Sequence, residues 1–315
     1  MTAFRDLLEL VRAPAALSVP GDVLAGAAAG QALGGRTAGL ACSSVCLYWA
    51  GMAANDWADR RLDAVERPER PIPSGRVSPG AALGLAAGLT GAGLVMAALS
   101  GGRRAFTVAA ALAGAVWAYD LVAKNTPAGP AAMALCRGLD VLLGAAPGRS
   151  VGAAAPGALT VAAHTYLLTA LSRGETAGTR PRRPATTLAG TLAVAATAAY
   201  RPATARPALA RRTAARSTRT WSTPARSTPA RPVAGDAAAQ VGLALWYATQ
   251  FGSPQARAVT DPSAGRVRAA VTAGIVSLPA LQGALVARAG APRTGLALAA
   301  AVPLARRLAR KLSPT

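Results

Sequence analysis

The sequence predicts an all-α protein that crosses a membrane many times. The mean hydropathy of its 315 residues is +0.32, and 52% of them are hydrophobic. Ala and Gly dominate the apolar part, which suits helices that pack closely inside a bilayer. Uncharged stretches of about 20 residues, enough for a helix to span the hydrocarbon core, recur along the chain. These features argue against several soluble domains and predict one transmembrane domain over 1–315.

Ten apolar segments are candidate spans. In chain order they are 13–34, 37–54, 79–101, 105–122, 128–148, 151–172, 185–200, 235–251, 267–289 and 291–308. Between 79–101 and 105–122 there is only a short turn with Arg103 and Arg104. The weakest candidate is 235–251, because its Gln and aromatic residues suit a helix that lies at the membrane interface at least as well as a span.

The net charge of +21 comes mostly from Arg in the loops between apolar segments. Arg in such loops orients helices by the positive-inside rule and contacts anionic lipid. We therefore expect membrane lipid, and no nucleic acid, as a partner. Loops 55–78 and 173–184 are both Arg-rich and are separated by four spans, so they lie on the same face. The rule predicts that this face is cytoplasmic, in a multi-pass protein of the cell membrane. Arg103 and Arg104 are an exception to it.

The segment 201–232 differs from the rest of the chain. It carries eight Arg and no acidic residue, with five Pro among Ser, Thr and Ala, and it contains Ser-Thr-Pro-Ala-Arg twice. Such a composition buries no core and spans no membrane. We expect a disordered insertion within the transmembrane domain. A basic loop that binds lipid headgroups is the alternative.

The densest acidic group follows the second apolar segment. Residues 55–63 read Asn-Asp-Trp-Ala-Asp-Arg-Arg-Leu-Asp. On a continuing helix, Asn55, Asp59 and Asp63 repeat every four residues and Asp56 lies one turn from Asp59, so all four share one broad face. Like charges repel there unless a hard cation lies between them, and Mg²⁺ commonly bridges carboxylates to phosphate oxygens. The alternative is an exposed helix end whose Asp residues pair with neighbouring arginines.

Three further groups carry chemistry. Tyr119 and Lys124 close the fourth apolar segment, where Lys124 either extends toward lipid headgroups or binds a diphosphate. Arg137 and Asp140 lie within the fifth segment, where charged side chains are functional candidates by default and mutual pairing is the alternative. Glu175 follows the sixth segment, and as the only acidic residue of its loop it is the candidate there for a second metal ligand.

The motif at 55–63, followed by Arg-Pro-x-Arg-Pro-Ile-Pro-Ser-Gly at 67–75, resembles the first signature of the UbiA superfamily of intramembrane prenyltransferases. The ending from Tyr119 to Lys124 and the position of Glu175 match the same plan. The resemblance implies a bundle of about nine transmembrane helices around a central cavity, capped by two acidic loops. One departure is that the second signature usually has two Asp residues, where this chain has the single Glu175.

The resemblance also implies an activity and a set of site residues. The activity is Mg²⁺-dependent transfer of a prenyl group from a prenyl diphosphate to an aromatic or other small hydroxylated acceptor. The implied metal ligands are Asn55, Asp56, Asp59, Asp63 and Glu175. The implied substrate-binding residues are Arg70, Tyr119, Lys124, Arg137 and Arg173. Asp56, Asp59 and Lys124 are implied to be catalytic, because stabilising the departing diphosphate allows an allylic cation to form.

Two other functions remain open from the sequence. The single Glu175 of the second signature is compatible with a degenerate, non-catalytic family member. A membrane transport or binding protein would use the acidic cluster for a cation, since charge inside a membrane also marks ion paths. Transport predicts broken segments in two matching halves, and we find no such repeat. The expected partners are a prenyl diphosphate, a small acceptor and membrane lipid, with no obligate protein partner.

Overall fold

The computed structural model describes residues 4–12, 18–201 and 234–301, and these ranges form helices joined by loops, without a β-strand. The helices are α1 (Phe4–Leu10), α2 (Val19–Ala29), α3 (Gly35–Glu66), α4 (Pro79–Ala118), α5 (Gly129–Ala145), α6 (Ala155–Ser172), α7 (Arg182–Ala199), α8 (Ala234–Thr260) and α9 (Ala264–Arg288). Residues 292–301 are helical as well. The prediction of an all-α protein is confirmed. The insertion expected at 201–232 lies outside the described residues, apart from Arg201.

α4 is a helical hairpin. Gly102 has φ 68° and ψ −161°, a conformation outside the helical region that glycine adopts readily because it has no Cβ. The chain reverses there, so Trp117 Nε1 donates a hydrogen bond to Thr90 Oγ1 at 3.1 Å although the residues are 27 positions apart. The two segments predicted at 79–101 and 105–122, with a turn between them, are therefore present.

α3 is longer than the hydrocarbon core of a membrane is thick. Its 32 residues extend for about 48 Å at 1.5 Å per residue, whereas the hydrocarbon core measures about 30 Å. The helix continues without a break from its apolar part, which ends at Ala54, through the acidic motif at 55–63. The motif therefore lies where α3 leaves the apolar bundle, on a regular helical framework.

Four helical stretches of the described residues are long and apolar enough to cross a membrane. They are Gly35–Glu66, Pro79–Ala123, Val151–Ser172 and Ala264–Arg288. The second contains the reversal at Gly102 and therefore provides two crossings. Two buried clusters of mostly small and aliphatic side chains hold the bundle together, and α2 and α5 contribute to both. The protein is a multi-pass membrane protein whose central helices are α2 and α5.

α8 packs along the bundle as a full helix. Gln240 Nε2 donates to the carbonyl of Ala198 at 2.8 Å, and Gln255 Nε2 donates to Thr191 Oγ1 at 2.9 Å. The order of these contacts makes α8 antiparallel to α7 over most of its length. α7 supplies partners for the Gln side chains that weakened the prediction of a span at 235–251, and the interfacial alternative for this segment stays a prediction.

Several loops meet at one end of the bundle, here called the motif end because it carries residues 55–63. Lys124, just after α4, reaches Asn55 at 2.9 Å. Arg173, just after α6, donates a short hydrogen bond to the carbonyl of Thr126. The loops that follow α3, α4 and α6 are thus linked by direct contacts. They lie on one face, as the four intervening spans predict.

Candidate active site

Arg12 and Arg70 bind two carboxylates of the motif. Arg12 Nη2 donates to Asp56 Oδ1 at 2.7 Å, and Arg70 Nη1 donates to Asp63 Oδ2 at 2.6 Å. Arg70 Nη1 also lies 3.5 Å from Asp56 Oδ1. Both carboxylates are almost fully buried. Water and salt therefore screen the Arg70–Asp63 pair, in which both side chains are largely buried, less than they screen exposed pairs.

Lys124 binds the other two oxygen-bearing side chains of the motif. Its Nζ donates to Asp59 Oδ1 at 2.7 Å and to Asn55 Oδ1 at 2.9 Å. The Lys124 side chain is only 14% exposed, so it does not extend into the lipid headgroup region. Of the two interpretations that the sequence left open for Lys124, the one that places it within the site agrees with this geometry.

The four side chains of the motif share one broad face of α3, within an arc of about 100° around the helix. The two acids bound by arginine lie toward one edge of this face, and the two side chains bound by Lys124 lie toward the other. The sequence also allowed the motif Asp residues to pair with neighbouring arginines. Arg60 does not do so, because it donates to the carbonyl of Trp57 and its guanidinium lies 4.7 Å from the centre of the Trp57 ring. Of the cations that bind the motif, Arg70 follows Asp63 by seven residues, whereas Arg12 and Lys124 come from distant parts of the chain.

The oxygen atoms of the motif suit a divalent cation. In Asp56, Asp59 and Asp63, one carboxylate oxygen makes the contacts given above and the other makes none of them. Three carboxylates and an amide are the hard oxygen ligands that Mg²⁺ takes. Within residues 4–12, 18–201 and 234–301, no three Asp, Glu, His or Cys side chains surround one point closely enough to hold an ion. The donor set fits a metal ion, and binding one requires these side chains to rotate toward it.

Arg173 and Glu175 are the two candidate site residues that follow α6. Of these, only the Arg173 side chain contacts another loop of the site. It donates to the carbonyl of Thr126, two positions from Lys124. Glu175 is half-buried, and this burial raises the pKa of its carboxyl, while the positive charge of Arg268 lowers it. In the described part of the chain, no hydrogen bond or ion pair joins the Glu175 side chain to α3. Glu175 therefore lies at the motif end without touching the first motif.

Arg137 pairs with an acid that the sequence analysis did not single out. Its Nε lies 2.8 Å from Asp22 Oδ2 on α2, and its guanidinium lies 5.7 Å from the centre of the Tyr48 ring. Asp140 accepts a hydrogen bond from Ser44 Oγ at 2.5 Å instead of pairing with Arg137. The alternative of mutual Arg137–Asp140 pairing is therefore wrong. An arginine side chain is long enough to cross from α5 to α2, where a buried carboxylate needs a counter-charge.

A small cavity, here called the inner cavity, lies within the bundle one helical turn before the motif. Its volume is about 40 Å³, and its lining includes Tyr48, Met52, Tyr119, Asp120, Met133 and Cys136. Tyr119, predicted to bind substrate, is thus on its wall. Apart from Asp120 and the two tyrosine hydroxyls, the lining groups are mostly apolar. The inner cavity is therefore a mainly apolar space close to the charged motif.

Asp120 is the residue of this region that the sequence analysis missed. It is only 7% exposed, and with the residues described it makes neither a hydrogen bond nor an ion pair. The charges that act on it most strongly are those of Lys124 and Asp59. The available signal was an acidic residue beside Tyr119 within an apolar segment, where unbalanced charge is unfavourable and usually functional.

Residues 16–172, about half of the chain, match the model of the family described as the UbiA prenyltransferase family. The chain belongs to this family. The matched residues include the whole acidic motif, Lys124 and the inner cavity, so the resemblance seen in the sequence is confirmed. UbiA prenyltransferases generally depend on a metal ion. Glu175 and α7 to α9 lie outside the matched residues.

Curated UbiA-type relatives match parts of the chain. It is 39% identical over 130 residues to digeranylgeranylglyceryl phosphate synthase from Methanopyrus kandleri, covering 39% of this chain and 45% of the relative. The same enzyme from Natronomonas pharaonis is 36% identical over 149 residues, with coverages of 46% and 53%. The bacteriochlorophyll synthase 33 kDa chain of Cereibacter sphaeroides is 39% identical over 103 residues, with coverages of 30% and 32%. The chain thus spans about half or less of the length of these relatives.

Solved structures support the UbiA fold over most of the chain. One, from work on digeranylgeranylglyceryl phosphate synthase in membranes, superposes with a TM-score of 0.62 at 15% identity and covers 92% of this chain and 99% of that one. The apo structure of a UbiA homolog from Aeropyrum pernix K1 gives 0.55 at 20% identity, with coverages of 86% and 96%. At these identities the likeness concerns the fold alone. The implied count of nine spans stays a prediction.

Proposed function

We propose that this protein, as a single transmembrane domain, transfers a prenyl group from a prenyl diphosphate to a small hydroxylated acceptor within the membrane and requires Mg²⁺. The observation that carries this proposal is the layer of paired carboxylates and cations at the motif end, directly beside a mainly apolar inner cavity. A diphosphate needs the first, and the second offers an acceptor hydroxyl a place close to the diphosphate.

Asn55, Asp56, Asp59 and Asp63 would hold Mg²⁺, which supplies positive charge that stabilises the diphosphate as a leaving group. Their donor set fits this ion, as the unengaged oxygen of each carboxylate indicates. Glu175 is the proposed ligand of a second ion.

The cations of the site bind the donor. Lys124, Arg70 and Arg12 each contact a motif carboxylate, and ammonium and guanidinium groups are the donors that bind phosphate oxygens. Arg173 lies beside the Lys124 loop and adds positive charge. Placed in a site of low polarity, such fixed charges stabilise a departing diphosphate more than they would in water. Ionisation of the donor then requires no nucleophilic side chain.

The names of the relatives suggest substrates for a first assay. Several are digeranylgeranylglyceryl phosphate synthases, which points to geranylgeranyl diphosphate as donor and geranylgeranylglyceryl phosphate as acceptor. Membranes that contain the protein should be incubated with labelled donor and with this acceptor or a panel of phenols and polyols, with and without Mg²⁺. We expect Mg²⁺-dependent product with at least one acceptor. If the membranes form no product and release no diphosphate, the proposal is contradicted. Uptake of Mg²⁺ into vesicles that contain the protein would favour transport.

We also propose that the motif end faces the cytoplasm. The Arg-rich loops 55–78 and 173–184 support this orientation by the positive-inside rule. In a variant without Cys42, Cys46 and Cys136, a new cysteine at Glu66 should be protected from a membrane-impermeant thiol reagent in intact cells. Rapid labelling there would reverse the orientation.

Glu175→Gln tests the proposed second ion. The substitution keeps the shape and removes one negative charge, so we expect a higher Mg²⁺ concentration at half-maximal rate and a loss of about tenfold to a hundredfold in rate. The effect is graded because a half-buried carboxylate in a wet loop interacts through a high effective dielectric. Asp261→Asn, an exposed acid paired with Arg266, is the matched control. Mg²⁺ titrations that coincide for Glu175→Gln and wild type would make Glu175 an ordinary loop acid.

A further inference from the structure

The inner cavity contains an acidic group that the proposed metal and diphosphate sites do not use. Asp120 lines the cavity, is 7% exposed, and makes no hydrogen bond or ion pair with any residue that the structure describes. Tyr48 lines the same cavity and is buried as well. Burying a carboxylate without a partner is unfavourable. A structural role for Asp120 would predict a partner, so the geometry favours a ligand.

The backbone around Asp120 directs this side chain to the cavity, while the side chains that follow it point in other directions. Residues Tyr119–Ala123 form one π-turn, closed by the hydrogen bond from Lys124 N to the carbonyl of Tyr119 at 2.9 Å. Around this turn Leu121 and Val122 are exposed on the outer surface of the bundle, while Lys124 reaches the acidic motif.

α3 leaves room for the carboxylate. A Cβ built on Gly51 would lie 2.9 Å from Asp120 Oδ2 and 2.5 Å from Val116 Cγ1, so any larger residue at position 51 would push into this region. The carboxylate of Asp120 is therefore packed against the backbone of α3, one turn before Asn55. Its position is fixed by the helices and does not depend on a flexible loop.

We propose that Asp120 binds the hydroxyl group of the acceptor and accepts its proton during transfer. This inference rests on the proposed function. The bond between C1 of the prenyl chain and the diphosphate breaks, and its electron pair leaves with the diphosphate. A lone pair of the acceptor oxygen forms the new bond to C1, and the hydroxyl proton passes to a carboxylate oxygen of Asp120. The products are a prenyl ether, diphosphate and protonated Asp120, which later returns the proton to solvent.

The size and chemistry of the cavity favour a hydroxyl as the group bound by Asp120. A volume of about 40 Å³ exceeds the space of roughly 10 to 15 Å³ that a water molecule requires, so a hydroxyl fits without rearrangement. An ionised carboxylate only accepts hydrogen bonds, so it selects a ligand that donates one. Met52 and Met133 on the wall are flexible, and such side chains adapt to the rest of the acceptor.

The test compares Asp120→Asn with wild type and with Leu121→Ala, a control on the same turn whose side chain faces outward. Three quantities are measured in purified, lipid-reconstituted protein: transfer from geranylgeranyl diphosphate to geranylgeranylglyceryl phosphate, diphosphate release without acceptor, and the Mg²⁺ concentration at half-maximal rate. For Asp120→Asn we expect transfer to fall about 10²- to 10⁴-fold, as for loss of a general base. We expect diphosphate release and the Mg²⁺ midpoint to stay within about twofold of wild type, because Asp120 acts on the acceptor alone.

Thermal unfolding provides a further readout. Removing an unpaired buried charge does not weaken the fold, so Asp120→Asn should unfold at the same temperature as wild type or higher. A clear decrease, together with unchanged transfer per folded molecule, would make Asp120 a structural residue and overturn the inference. A parallel loss of diphosphate release, or a shifted Mg²⁺ midpoint, would instead assign Asp120 to the metal or donor. A wild-type protein that neither releases diphosphate nor forms product would overturn the proposed function itself.

Discussion

Asp56→Asn is expected to reduce prenyl transfer by about 10³-fold, the loss typical of removing one strong electrostatic contact to a developing charge. The substitution leaves the shape of the side chain and removes the charge that Arg12 and Arg70 now bind. Asp59→Asn should behave in the same way toward the other edge of the motif, where Lys124 is the partner. Product formation is measured as a function of Mg²⁺ in reconstituted protein, after membrane insertion has been checked.

Glu66→Gln is the matched control for these two variants. It lies on the same helix, one turn beyond Asp63, and its side chain is exposed. We expect its activity to stay within about twofold of wild type, because an exposed charge at this distance is well screened. If Asp56→Asn and Asp59→Asn retain the activity of Glu66→Gln, then the motif does not hold the metal.

Arg137→Met is expected to destabilise the folded protein by about 3 to 5 kcal/mol, because it leaves the Asp22 carboxylate buried without its counter-charge. Asp22 is fully buried on α2, and the remaining contact to its side chain comes from Gln282, which donates at 2.6 Å. The double variant Arg137→Met/Asp22→Asn should recover most of this loss, since both charges are then absent. Unfolding by denaturant in detergent measures the free energies.

Arg149→Met controls for the loss of an arginine as such, because Arg149 is exposed at the end of the bundle opposite the motif. Its free energy of unfolding should change by less than about 0.5 kcal/mol. If the double variant is as unstable as Arg137→Met, the ion pair with Asp22 is not the origin of the effect. Arg137 would then contribute mainly through its contact with the Tyr48 ring.

Local patterns in the sequence were sufficient to predict the apolar helices and the motif. The short turn around Arg103 and Arg104 predicted the reversal, which the structure places at Gly102. The spacing of the residues at 55–63 predicted a continuous helix through the acidic motif, and α3 has that form. Both predictions depend on residues within one or two helical turns, where periodicity and glycine carry the information.

The partners of the charged residues were not predictable in this way. Asp22 and Arg137 are far apart in the sequence, and only the packing of α2 against α5 brings them together. The burial of Asp120 depends on a π-turn, which hydropathy and helical periodicity do not reveal. Arg12 is similar, since nothing in its surroundings indicates that it reaches Asp56. Long-range packing decides the two ion pairs, and the local backbone geometry of the π-turn contributes to the burial of Asp120.

The pairing of Arg12, Arg70 and Lys124 with the motif carboxylates couples the two binding events of the site. Each cation lowers the negative potential that would attract a metal ion, and each carboxylate competes with a diphosphate for its cation. A diphosphate that draws the cations away raises the affinity of the carboxylates for the metal, and by thermodynamic reciprocity the metal raises the affinity for diphosphate by the same factor. Titration of Mg²⁺ by calorimetry with and without inorganic diphosphate measures this factor, and a factor of one would show that the sites are independent. With such cooperative binding, the site would hold the metal ion and the diphosphate together more often than either one alone.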